Sequence, residues 1–460
     1  MASNTPIPDL PKWTFLGGDG RLARRVGQPV RRFLHVEASG GIVLLLAAIA
    51  ALIWANSPWS DSYYNFWHTD FALNIGSYQM GGESHHLTLE TLVNDALMAI
   101  FFFVVGLEIK RELVSGQLKD PKAAALPVIA AIGGMVFPAL VYVVLNANGD
   151  ASSGWGIPMA TDIAFAVGVI SLLGDKIGRP LKVFLLSLAI ADDIGAIVVI
   201  AIFYTSDLSF TWLVTALIIM GIIVVLRRLH IWYIPIYIAL GTALWLATFE
   251  SGIHATIAGV VLGLATPAKP QQSKEDGLAA LEWLRDKGKG ESIYPVDVRL
   301  TAMELRESQV SVAERIESAL HPISSFIIIP IFALANAGVN MGDGLLGDAA
   351  SSPITWGVGL GLIVGKIFGI TFMTWLGMKL PFISPPSGLN FISLLGLAAT
   401  AGIGFTVSLF ITNLAFDDME IINQSKIGVL FASVIAGILG LLLLRAGIKQ
   451  ADQTVENSSE

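Results

Sequence analysis

Two adjacent carboxylates, Asp192 and Asp193, sit at the middle of LLSLAIADDIGAIVVIAIFY (residues 185–204), an apolar run long enough to cross a bilayer. A charge at that depth costs roughly 2.5–3.5 kcal/mol on insertion scales, so an acid there marks a functional site by default. The other ionisable groups deep in apolar runs are Asp95, Asp162, Lys366 and His254. Four acids against one lysine leave a negative site. Its hard oxygens, with the hydroxyl of Thr161 next to Asp162, suit a small alkali cation. Consecutive helical residues project about 100° apart, so Asp192 and Asp193 border one cavity without facing each other. At that spacing they titrate as a coupled pair. A cation that needs both ionised competes with the protons that neutralise them. If the protonated and the cation-loaded forms cross while the bare dianion does not, one ion moves against the other.

Lys366 lies in WGVGLGLIVGKIFG, where Gly357, Gly361, Gly365 and Gly369 recur every fourth residue. This small-xxx-small stripe admits a neighbouring helix at close range. A phosphate loop is excluded, because the G-x-x-x-x-G-K-[ST] spacing fails and Ile367 stands at the hydroxyl position. A lysine on such a face needs an acid, and Asp192 is the natural candidate. Its other role is to neutralise carbonyl ends of a broken helix, and the two roles coexist. Where the fourth apolar run is interrupted, ligation suits Thr161 and compensation of helix N-termini suits Asp162. Asp95 reads as a helix-packing acid and His254 as a hydrogen-bonded structural histidine. Glu108, Lys110, Arg111 and Glu112 follow the second run, and Glu314, Arg315, Glu317 and His321 precede the ninth. They read either as ordinary helix-end charges or as a cation-attracting funnel that senses pH.

The elements that must hold these groups are spans. Of 460 residues, 54% are hydrophobic and only 14% charged, against about 25% charged in a soluble domain. The chain is expected to be an all-α polytopic membrane protein. With no cysteine, disulfides, thiolate zinc sites and cysteine nucleophiles are excluded. Twelve apolar segments run at 38–56, 88–107, 123–146, 157–173, 181–204, 210–226, 231–249, 252–266, 322–338, 355–377, 390–413 and 427–446, most near the 20 residues a crossing helix needs. The first follows six Lys/Arg without a small-residue cleavage motif, so it is expected to be a retained span. Of 28 Lys/Arg, 26 fall in alternate loops that share one side, and Lys426 is the basic residue of the opposite loops. By the positive-inside rule both termini are cytoplasmic. The net charge of −8 is spread over loops and points to no nucleic acid.

Residues 1–37 form a basic cytoplasmic arm, 38–266 carry spans one to eight, 267–321 are a cytoplasmic insertion, 322–446 carry spans nine to twelve, and 447–460 form a polar tail. VRLTAMELRESQVSVAERIESALHP in the insertion has helical spacing with mixed charge. The last ten residues, ADQTVENSSE, read as disordered. Span four's Asp162-Ile-Ala-Phe-Ala-Val167 reads against span eleven's Gly402-Ile-Gly-Phe-Thr-Val407, seven spans on and therefore of opposite direction. Both are interrupted, by Pro158, Thr161 and Asp162 in one and by Thr400, Gly402, Gly404 and Thr406 in the other. Paired interruptions of this kind point to an inverted-repeat transporter with its site at the breaks. An intramembrane aspartyl protease needs its acids on different helices, sharing a proton, which consecutive acids do not provide. A channel would want a ring of carbonyls or charges. A sodium-coupled symporter of similar architecture needs an organic-substrate pocket.

NDALMAIFF at 94–102, VGLEIKREL at 105–113, ATDIAFAVG at 160–168, LAIADDIGAI at 188–197, SGIHATIAG at 251–259, FALANAGV at 332–339, the GK at 365–366 and GIGFTVSLFI at 402–411 together resemble the NhaA family of bacterial sodium/proton antiporters. The resemblance runs from about residue 33 to 446, apart from the insertion. That family is itself among the examples behind the inverted-repeat rule. It implies twelve helices, inverted three-helix repeats over spans 3–5 and 10–12, and crossed, interrupted spans 4 and 11. The implied activity is electrogenic exchange in the bacterial inner membrane, sodium or lithium leaving as more protons enter, switched on at alkaline pH. The implied ligands are the transported ions, with no cofactor. Motif by motif, Asp193 is the principal ion ligand and Asp192 a proton carrier paired with Lys366. Thr161 and Asp162 support the site, and Glu108, Arg111, Glu112, Glu317 and His321 match positions tied to pH activation. The family's homodimer forms through a hairpin between spans one and two, which Tyr78–Leu89 would supply. The basic arm and about 40 extra residues in the insertion depart from the pattern, and bear on the pH set-point more than on the ion site.

Overall fold

The computed structural model describes residues 39–459 except 71–72, 76–77, 81–86, 148, 206–207, 230–232, 271, 291–292, 343, 382 and 384. The basic arm at 1–37 lies outside the described residues. Helix dominates throughout. The only strands among the described residues are Leu73–Ile75 and Tyr78–Met80, an antiparallel hairpin pairing Leu73 with Met80 and Ile75 with Tyr78. That hairpin begins earlier than the segment expected at 78–89, of which residues 81–86 are not described.

Eight helices are long and apolar enough to cross a membrane, or ten if each of two bent pairs is one span. The bent pairs are Ser39–Ala55 with Ser60–Trp67, turned by 115° after Pro58, and Phe391–Ala401 with Phe405–Ala415, turned by 45°. Two shorter apolar helices, Pro235–Glu250 and Thr256–Ala265, complete the set. Hydrophobic side chains such as Leu46, Val144 and Phe210 stand exposed along these helices, as expected where the surrounding solvent is lipid rather than water.

The chain divides into two compact units. The first contains the described residues of 1–94, 121–204 and 325–460. Its apolar centre is built from Leu126, Ala130, Ala166, Ile170, Leu185, Leu188, Ile370, Leu397 and Leu444. The glycine stripe packs as its spacing demands. A methyl on Gly365 would meet Pro138 Cα at 2.7 Å, and one on Gly361 would meet Pro158 Cβ at 2.7 Å. A methyl on Gly369 or on Gly133 would collide with the other's carbonyl oxygen. The helices Pro121–Leu145 and Pro353–Gly377 therefore touch backbone to backbone. The last helix runs from Met419 to Ser459, so ADQTVENSS at 451–459 is helical rather than disordered. Extending an existing helix avoids the nucleation cost, and polar residues then suffice. Lys426, assigned to a loop, is buried within this same helix.

The second unit contains Asp95–Asp120 and Thr205–Ser324. Met98–Val114 and Thr256–Ala265 approach through glycines, a methyl on Gly106 meeting Val260 O at 2.7 Å. The insertion is helical over Lys274–Gly290, Pro295–Gln309 and Val312–Ile323. The stretch predicted helical is thus two helices, broken at Val310 and Ser311. The hydroxyl of Ser311 accepts from the Glu314 amide, and Glu314 Oε2 accepts from the Ser311 amide. This capping box gives Glu314 a structural task at the helix end.

Candidate functional site

Each half of the candidate site is set by a helix that stops early. Asp150–Met159 is a 3-10 turn ending at Pro158 and Met159, Ala160 to Asp162 are extended, and Ile163–Ser171 resumes the span. In the partner segment Phe391–Ala401 ends at Gly402, and Phe405 restarts the helix. Each break leaves two helix ends with backbone groups lacking intrahelical partners. The breaks meet, and satisfy each other. The Asp162 amide donates to Ile403 O at 2.6 Å, and Thr161 Oγ1 donates to Ala401 O at 2.8 Å.

Asp162 does more than cap its own helix. Its Oδ1 accepts from the Phe165 amide at 3.0 Å, and its Oδ2 accepts from the Thr406 amide at 3.0 Å and the Thr406 hydroxyl at 2.6 Å. One carboxylate thus faces two helix N-termini, each carrying about half a positive charge. This geometry is the one that compensation of helix N-termini requires. Thr406, which belongs to the arrangement, appears in the sequence only as one polar residue of a glycine-rich break.

Asp192 and Lys366 are both fully buried. Lys366 Nζ donates to Asp192 Oδ2 at 2.5 Å and to Thr161 Oγ1 at 3.0 Å. The Gly361–Gly365 stretch just before Lys366 is a π-helical turn, a widened geometry that recurs at functional sites. Asp192 and Asp193 lie on the Arg179–Phe203 helix. Asp193 is 8% exposed against 0% for its neighbour, which makes it the more accessible acid of the pair. Asp192, Lys366 and Thr161 therefore form one contiguous cluster. Asp193 adjoins it on the same helix, and Asp162 adjoins it through Thr161. No group of three His, Cys, Asp or Glu that could hold a metal ion occurs among the described residues, so a cation here would draw on hydroxyl and carbonyl oxygens besides the acids.

The predicted pH-linked residues lie in the second unit. Arg111 Nη1 contacts Glu317 Oε1 at 2.5 Å, and Arg111 Nη2 lies 3.8 Å from Glu112 Oε1. Glu112 Oε2 accepts from the Gln117 amide at 2.9 Å and so also closes the end of its helix. Glu108 stands one turn before Glu112 on the Met98–Val114 helix. His321 stands one turn after Glu317. Asp95 lies in the π turn Val93–Leu97, where its backbone carbonyl accepts from Trp245 Nε1 at 2.9 Å. His254 stands two residues before the Thr256–Ala265 helix, where its carbonyl accepts from the Ile257 amide at 3.0 Å.

Known proteins share this sequence along most of its length. The family model described as Na+/H+ antiporter 1 matches residues 31–444. A Myxococcus xanthus protein named Na(+)/H(+) antiporter NhaA 2 is 44% identical over 436 residues, covering 92% of this chain and 90% of its own. Relatives named Na(+)/H(+) antiporter NhaA in Rhodopirellula baltica and Helicobacter pylori are each 44% identical, covering 91% and 92% of this chain and 93% and 96% of their own. The chain is a multi-pass membrane protein of the Na+/H+ antiporter 1 family.

Proposed function

We propose that this chain is a secondary active transporter exchanging sodium or lithium for protons across the bacterial inner membrane, in the service of sodium and pH homeostasis. The observation that carries the reading is the buried Lys366–Asp192 pair, 2.5 Å apart, at the meeting point of two broken spans with Asp193 beside it. Asp193, the more open acid, is the principal cation ligand. Asp192 carries a proton and exchanges its lysine partner when it does. Thr161 supports the ion site, and Asp162 holds the two half-helices whose ends frame it. A dianion left bare in the membrane is too costly to move. Cation-loaded and protonated forms therefore alternate, and the exchange becomes electrogenic when more protons enter than cations leave.

In the same reading the twelve apolar helical segments are twelve spans, both termini cytoplasmic, with spans 3–5 and 10–12 as inverted repeats. The ion pair of Arg111 with Glu317, flanked by Glu108, Glu112 and His321, sets activation at alkaline pH. A homodimer forms through the Leu73–Met80 hairpin. The alternative of a sodium-coupled symporter requires an organic substrate to be carried with the ion.

Proteoliposomes with an internal pH dye test the proposal. Added sodium or lithium, and not potassium, is expected to move protons outward from acid-loaded vesicles, more strongly as pH rises. Asp192→Asn and Asp193→Asn are expected to abolish the signal while the protein stays in the membrane. Undiminished exchange in both variants would overturn the assignment, and cation uptake without proton movement would favour symport.

A further inference from the structure

The helical hairpin of the insertion is two-faced in a way the ion exchange does not use. Lys274–Gly290 and Pro295–Gln309 pack antiparallel: Gly277 abuts Ser308 at one end, and Lys287 Nζ meets Asp297 Oδ2 at 2.9 Å at the other. The seam comprises Gly277, Ala280 and Leu284 on one helix and Asp297, Thr301, Leu305 and Ser308 on the other, all buried or half-buried. In an antiparallel pair of right-handed helices, the residues that follow each seam position by one lie on a common side. Those residues are Leu278, Leu281 and Arg285 with Val298, Ala302, Arg306 and Gln309; one turn from Leu278 in either direction stand Lys274 and, toward the outer edge, Glu282. At the positions that directly follow the seam the charges are Arg285 and Arg306, both cations. Among the described side chains, those that precede the seam positions make the opposite side: Asp276, Ala279, Trp283, Val296, Leu300 and Glu304, whose charges are anions. On the cationic side Leu278 is 58%, Leu281 42% and Val298 49% exposed.

We propose that the cationic side of this hairpin docks on the membrane surface and binds anionic lipid headgroups. Leucine and valine enter the headgroup boundary, and Lys274, Arg285 and Arg306 meet the phosphates, the pattern of an interfacial amphipathic helix. Tethering supports this occupant over a soluble partner. Only Val310 and Ser311 separate the hairpin from the Val312–Ile323 helix, which leads directly into the span ending at Asn336, and the Ala313 amide donates to Pro267 O at 3.0 Å, clamping both ends of the insertion together. The hairpin is thus held on a short tether to the end of that span. The opposite side, apolar but acidic, faces away because anionic headgroups repel it. Arg285 lies 3.5 Å from Asp286, an exposed contact of the weak kind that a headgroup phosphate displaces. The inference stands whichever leaflet the insertion faces and whatever ion is carried.

The chain has no cysteine, so single-cysteine variants of the full protein can carry an environment-sensitive fluorophore without background. Leu281→Cys reports the cationic side and Leu300→Cys the acidic side. In vesicles of phosphatidylcholine with phosphatidylglycerol, the probe at 281 is expected to shift to the blue and to be quenched by doxyl lipid. The probe at 300 is expected to stay water-like. Arg285→Gln and Arg306→Gln are each expected to lower the docked-to-free ratio about fivefold, the change that ~1 kcal/mol per cation near an anionic surface gives, and phosphatidylcholine alone is expected to weaken docking likewise. Quenching at 300 instead of 281, equal quenching at both, or a water-like probe at 281 in anionic vesicles would each overturn the proposal.

Discussion

At the level of single residues, the site is a balance between one buried acid and one buried base. Lys366 and Asp192 satisfy each other with no exposure to solvent, so removing one strands the other. Breaking a buried pair from one side costs about 3–5 kcal/mol, whereas removing both partners is far less destructive. Lys366→Ala is therefore expected to lower the melting temperature of the purified protein sharply. The double variant Asp192→Asn with Lys366→Ala is expected to recover much of that loss without recovering transport. A double variant no more stable than Lys366→Ala would show that the two do not act as a pair. These residues were legible beforehand because a charge inside an apolar run is costly enough to mark a site by default. Thr406 was not, since its importance comes from Asp162, 244 positions away in sequence, and a threonine among glycines carries no long-range mark. Lys426 misled for the converse reason: it borders the apolar run 427–446, and only the helix extending from Met419 to Ser459 shows that it is enclosed.

At the level of elements, close packing and caps decide. The stripe from Gly357 to Gly369 was readable as a contact face from its four-residue spacing alone, and Gly133 is the partner that spacing left unnamed. Because a methyl on Gly369 would strike Gly133's carbonyl, Gly369→Ala is expected to cost about 1–3 kcal/mol by overpacking. A melting curve of the purified variant checks this, and an unchanged transition would contradict the backbone contact. The breaks in the fourth and eleventh segments were also legible, through Pro158, Gly402 and Gly404. The long final helix was not, because local composition says little once a helix is already nucleated. In the insertion, the Lys287 ammonium, followed by the Tyr294 amide, holds the Asp297 carboxyl below its usual range. A lowered native value stabilises the hairpin above the ordinary pKa of about 3.9, and that contribution disappears as pH falls below it through the native value. Spin labels at Glu282→Cys and Glu304→Cys are expected to report a single distance at neutral pH that broadens in acid. Adding Asp297→Asn is expected to broaden it at neutral pH and to abolish the acid transition.

At the level of the whole molecule, composition and loop charge established a polytopic membrane protein, and similarity over residues 31–444 placed it in its family. What neither periodicity nor charge could reveal is which ends of which broken helices meet, because that pairing is made by contacts such as the Asp162 amide to Ile403 O. The hairpin at Leu73–Met80 and the two faces of the insertion hairpin likewise emerge only from three-dimensional pairing. The central claim is that sodium and protons compete for one set of acids. Calorimetry of sodium binding to the purified protein, repeated in buffers of different ionisation enthalpy, counts the protons released as sodium binds. Competition predicts proton release on binding in the wild type and its loss, with weakened binding, in Asp193→Asn. Sodium that binds tightly while releasing no proton at any pH would contradict it.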